Sequence, residues 1–303
     1  MNEAEFCAHL QTVCATAIED YRTRFPAQPP LSQRLPHDTD SALASTADIE
    51  TCFSALVEFY DSLLGVDSTP YRDQWRDHLV YDFSLRERLT LLGSDLPASL
   101  TLFIIAGRYA AHTGYIGISG GRLPIARAGE MLASELCHAY QHRFDSPTWH
   151  HPYLQEGFEL AASIRALTYL ADELDDEMLA HRACRQRTRA LLQGTIAHGI
   201  RNGGITAATV RNLGVTDREL SELRAALPVR LLGTIWPRYH WGSTAFLPEY
   251  DLFGSLLLVS EALDVPDTYL RAFWGKHPWD ELIAELRSTR PGWLWQQYHT
   301  SGE

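Results

Sequence analysis

The chain has 303 residues, of which 45% are hydrophobic and 21% charged. That is ordinary globular composition, and it excludes a disordered, collagenous or coiled-coil protein. A net charge of −12 argues against a dedicated nucleic-acid binder, because neutralising phosphates needs a basic face, and five scattered cysteines without a CxxC pair fit a reducing cytoplasm.

In chain order, the first residues are acidic, with no basic stretch leading into an apolar one, so no signal peptide is expected. Residues 3–25 read as an amphipathic helix, and 26–45 as a Pro- and Ser-rich loop. Helices are expected over 47–64 and, for the most part, 71–92. The texture then changes. Residues 100–106 are apolar and β-rich, and 114–121 alternate between bounding glycines, which predicts two short strands with a turn near His112. Over 128–143, Met131, Leu132, Leu136 and Tyr140 recur at helical spacing, so one face is buried. Further helices are expected over 154–171, 176–198, 207–213, 217–227 and 250–263. The acidic run at 172–177 reads as a solvated loop and helix start. The longest apolar runs are far too short to span a bilayer.

Chemistry concentrates in one stretch. Ser134-Glu135-Leu136-Cys137-His138-Ala139-Tyr140-Gln141-His142 is followed by His150, His151 and Leu154-Gln155-Glu156-Gly157-Phe158-Glu159. Residues four apart on a helix share a face, so His138 and His142 could bind one ion together, with Glu135 leaning toward the same side. A second helix opening near Pro152 would bring Glu156 and Glu159. Two imidazoles and a carboxylate are the common ligand set of catalytic zinc.

Residues 131–144, MLASELCHAYQHRF, resemble the active-site helix of HExxH zinc metallopeptidases, the zincins. Glu156-Gly157 resembles the downstream Glu-Gly that supplies the third ligand in the gluzincin branch. The strand pair upstream matches where zincins keep a substrate-binding edge. The likeness covers about residues 100–160 and continues weakly to 250–254. It implies that Glu135 is the general base, His138 a zinc ligand, Glu156 the carboxylate ligand and Tyr250 an oxyanion donor. The first histidine ligand falls on Ser134, whose hydroxyl is a poor ligand at neutral pH.

Three readings of that departure stay open. The site has lost its metal and binds without cutting. Another residue supplies the missing nitrogen, with His142, His150, His151, His112 and His240 as candidates. Of these His142 is geometrically cheapest, although it shifts the ion by about one turn, ~5 Å. Or Glu135 and His138 perform acid–base chemistry without metal.

Blander roles compete for several of these residues. His142 reads equally well as a solvated helix residue, and His150 and His151 as a loop pair on Trp149 and Tyr153. Glu159 reads as a surface carboxylate or as support for the His138 tautomer. Cys137 points about 100° away from His138 and reads as a buried small residue. A helical di-iron site would need a second Glu-x-x-His, which the chain lacks.

The sequence thus predicts an α+β fold: a mainly helical zincin-like domain with a small antiparallel sheet before the active-site helix. A helical segment over 1–95 and a zincin-like part over 96–303 would form one continuous unit. The expected function is hydrolysis of an amide or peptide bond at an altered zinc site. Glu135 and Tyr250 would act in catalysis, and His138, Glu156 and His142 on the metal. A peptide or small-molecule substrate is expected, with no nucleic-acid or membrane partner and a cytoplasmic location.

Overall fold

The structure is a computed structural model that describes residues 3–27, 43–77, 79–81, 107–110, 115–118, 123–150, 152–201, 270–271 and 274–275. Helix α1 spans Glu3–Arg24, α2 Thr46–Leu64 and α3 Thr69–Asp77. Strands β1, Leu79–Tyr81, β2, Gly107–Ala110, and β3, Tyr115–Ile118, follow. Helix α4, Ile125–Arg143, leads through a 3-10 turn, Pro147–His150, into α5, Pro152–Leu174, and α6, Glu177–Arg201.

Local chemistry sets the helix ends. Ser45 caps α2: its Oγ accepts from Asp48 N at 3.2 Å, and Asp48 Oδ2 accepts from Ser45 N at 2.7 Å. The hydrogen bonds that Ser45 N and Ser45 Oγ donate to Asp48 Oδ2 hold the Asp48 carboxyl below its ordinary range. Gly65 ends the helix at φ +65°, a conformation that costs glycine little. From that helix Cys52, Phe53, Leu56, Val57, Tyr60, Leu63 and Leu64 are buried, at three- and four-residue spacing.

Helix α4 is the centre of the molecule. It packs against α2, α5, α6, the 3-10 turn and the two strands β2 and β3. Its buried residues accordingly wrap most of the way around, and many are small: Ala126, Ala128, Gly129, Ala133 and Ala139. A Cβ on Gly129 would lie 3.0 Å from Leu170 Cδ2 and 3.2 Å from Leu179 Cδ2, so this glycine lets α5 and α6 close on α4. One core cluster joins α1, α2, α4, α5 and α6 and reaches Leu270 and Trp274.

The expected α+β class is corrected by this arrangement to a mainly helical one. Among the described residues β pairing amounts to strands of three, four and four residues and a single antiparallel bridge between Leu43 and Pro124. Those strands are too short to make a layer, and the core forms helix against helix instead. The pairing is mixed rather than antiparallel, in the order β1-β3-β2. Leu79 pairs in parallel with Ile116, while Gly107 opposes Ile118 in antiparallel register. β1 also lies inside the stretch read as helix over 71–92, since α3 stops at Asp77. The strand expected over 100–106, the turn at His112 and the helices expected beyond 201 fall outside the described residues.

Candidate functional site

The close of α4 builds the site. Asp145 adopts φ +52°, and its N–H bonds to His142 O at 3.2 Å while Ser146 N bonds to Gln141 O at 2.9 Å. This pair of bonds is a Schellman stop, here with aspartate in the left-handed position usually taken by glycine. The chain reverses within two residues, and the 3-10 turn comes back over the last turn of α4. Thr148 and Ser146 are thereby buried beside Gln141. Pro152 then opens α5, where a missing N–H costs nothing.

His138 projects from α4 three residues before Gln141 and is half-buried. Its Nδ1 lies 2.9 Å from Gln141 Oε1. The Gln141 amide, wholly buried, donates from Nε2 to Thr148 Oγ1 at 2.9 Å and to Gln155 O on α5 at 3.0 Å. Ser146 Oγ and Thr148 Oγ1 are 2.9 Å apart, and Ser146 Oγ reaches Trp274 O at 3.5 Å. A polar relay thus runs from the imidazole through the α4–α5 turn.

Ser134 and Glu135 are half-buried one turn before His138. His142 lies one turn after it, with its ring 5.0 Å from that of Trp149 and tilted by 49°. Glu156 sits in the first turns of α5, directly after the Gln155 carbonyl that holds Gln141. The side chains of Glu156 and His150, and the whole of His151, His112, His240 and Tyr250, lie outside the described residues. Glu159 is buried, not on the surface, and Cys137 is buried as read. Burial, then the neighbouring Cys137 and Glu159, push the Tyr60 phenol well above its ordinary value. Tyr60 donates to Ala133 O at 2.7 Å and so fixes the inner face of α4.

On that inner side Tyr140 donates to Asp61 Oδ1 at 2.7 Å, with Ser68 Oγ 3.0 Å away. Burial drives its phenol far above the tyrosine range, so it stays protonated. Arg72 Nη2 completes the cluster on Asp61 Oδ2 at 2.5 Å. These contacts lock the α2–α3 junction onto α4 and keep the helix face that carries His138 in a fixed rotation.

Sequence reasoning passed over Gln141. Its signal was present, because a glutamine three residues after a histidine shares the helix face. Thr148 and Gln155 carried no such signal, since they meet Gln141 only once the turn is folded.

Among the described residues no group of three His, Cys, Asp or Glu side chains is placed to hold a metal ion. What is described is one half-buried imidazole with its Nδ1 engaged by a buried amide, which suits a metal ligand. Ser134 offers no nitrogen where the zincin pattern has one. Among the described residues no helix is long and apolar enough to cross a membrane. Compared with protein-family models, with curated proteins and with solved structures, the chain matches none.

Proposed function

We propose that the chain is a zincin-like hydrolase of an amide or peptide bond whose metal site is altered at Ser134. The observation that carries this reading is the His138 ring, held at Nδ1 by Gln141 Oε1 at 2.9 Å. Histidines that bind metal are commonly held in this way, one nitrogen on a protein oxygen and the other on the ion. A second support is position: Glu156 follows the carbonyl that anchors Gln141, so the helix bearing the second ligand is tied to the helix bearing the first.

In this reading His138 and Glu156 hold zinc, and His142 takes the place of the lost first histidine. Bound zinc would polarise the scissile carbonyl. Glu135 takes the proton of the attacking water, and Tyr250 donates to the developing oxyanion. The substrate is a peptide or small molecule, and the net charge of −12 disfavours strongly anionic ones. A cytoplasmic location is part of the proposal. It is supported by the cysteines: among the described residues Cys14, Cys52, Cys137 and Cys184 are free thiols, and Cys14 and Cys52 are pushed up to about 12, chiefly by burial.

The test is metal content. Full-length chain purified without a metal-affinity tag and analysed for zinc should carry a stoichiometric amount, and His138→Ala should carry none. Ser134→His should tighten the site. Absence of zinc in the parent chain, even after incubation with excess zinc, would overturn the proposal.

A further inference from the structure

The hydrogen-bond relay behind His138 ends on backbone carbonyls, and those ends dictate where its protons sit. A peptide carbonyl only accepts. Gln155 O lies 3.0 Å from the Gln141 amide, so the atom facing it is the nitrogen. Turning the amide over would press two acceptors together around a fully buried side chain, an arrangement costly to leave unrelieved. The second Nε2 proton goes to Thr148 Oγ1 at 2.9 Å. Trp274 O, also an acceptor, takes the Ser146 proton at 3.5 Å, so Thr148 donates to Ser146 across 2.9 Å. Every donor in the relay therefore points away from His138. Gln141 Oε1, facing Nδ1 at 2.9 Å, can only accept.

The structure assigns to Gln141 the role of positioning residue for His138: its clamped amide keeps the hydrogen on Nδ1, so that Nε2 is the ring atom that takes a proton or a metal ion. What Nε2 then does rests on the hydrolase proposed above, whereas the tautomer does not.

The test is long-range proton–nitrogen NMR of histidine rings in the full-length, 15N-labelled chain. The His138 signal is identified by its loss in His138→Gln. The expected spectrum at alkaline pH has hydrogen on Nδ1 and the lone pair on Nε2. Gln141→Leu should admit the form with hydrogen on Nε2, while Thr148→Val, which keeps the Gln155 anchor, should not. A parent ring protonated on Nε2 at alkaline pH, or a Gln141→Leu ring that keeps its hydrogen on Nδ1 alone, would overturn the assignment. If Gln141→Leu does not fold, the parent spectrum alone decides. None of these readouts needs zinc or substrate, so a chain that binds no zinc loses the hydrolase reading and leaves this one standing.

Discussion

The two ends of α4 handle buried polarity in opposite ways. Toward its start, Glu130 is a charged group in the interior, and its oxygens are occupied by cationic and amide donors. Arg127 reaches Oε2 at 2.5 Å, Arg182 reaches the same oxygen at 2.7 Å, and Gln186 donates to Oε1. Toward its end, Gln141 is neutral, and the relay it anchors passes hydrogen bonds from a half-buried imidazole into the turn. The first arrangement joins α4 to α6 and consumes the carboxylate in doing so. The second holds its histidine at Nδ1 through a neutral amide and adds no charge. Burial of a polar group is thus no guide to function by itself; what matters is whether its partners use up its chemistry.

The strongest way to break this contrast is at Glu130. Glu130→Ala removes the Glu130 carboxylate from beside Arg182, itself 5% exposed, and from Arg127, and should cost about 3 kcal/mol in urea unfolding. The pH dependence has a definite sign. Burial alone would raise the Glu130 carboxyl, but Arg127, Arg182 and the hydrogen bonds outweigh it and hold it below 4.5. Stability from a depressed carboxyl is present above the unfolded-state value and is lost as pH falls through the folded one. Acid unfolding of the parent should therefore steepen below about pH 4.5, and Glu130→Gln should lack that component.

Smaller effects sharpen the comparison. Gly129→Val, in the tight contact with Leu170 and Leu179, should cost about 1–3 kcal/mol by overpacking. Thr148→Val removes one acceptor of the buried Gln141 amide and should cost about 1–2 kcal/mol. That cost should not vary with pH, and the acid dependence assigned to Glu130 should persist in this variant as in the parent. Asp175 ends α5 at φ +48°, away from both regions. Asp175→Gly should stabilise by about 0.5 kcal/mol and leave zinc content unchanged. A thermal melt that moves the other way would show that the aspartate side chain contributes more than its backbone strain costs.

Much of the helical framework was legible because its signals are local. Ser45 and Gly65 bracket α2, and the apolar spacing of Met131, Leu132, Leu136 and Tyr140 marked α4. Asp176 within the acidic run proved to be the cap of α6, accepting from Met178 N at 2.8 Å and Leu179 N at 3.0 Å. The sheet was not legible in the same way. β1 pairs across the chain, Leu79 with Ile116, and nothing within 71–92 announces a partner that distant. The α+β expectation gave the short strands too much weight, because alternation marks a strand but not how much core it covers. At the site, the Glu135 and His138 spacing was visible, whereas the Gln141 contacts with Thr148 and Gln155 exist only after the Asp145 turn folds α5 back. The Glu130–Arg182 bond joins residues on α4 and α6 and left no trace in local pattern.

The proposed function makes His138 and Glu156 ligands of one zinc site, on two helices that the Gln141–Gln155 bond ties together. A double-mutant cycle on zinc affinity tests it most directly, using calorimetric titration of the full-length parent, His138→Ala, Glu156→Ala and the pair. Each single change should abolish most of the affinity, and the double change should add little more. Independent, additive losses, or a Glu156→Ala chain that binds zinc like the parent, would contradict it.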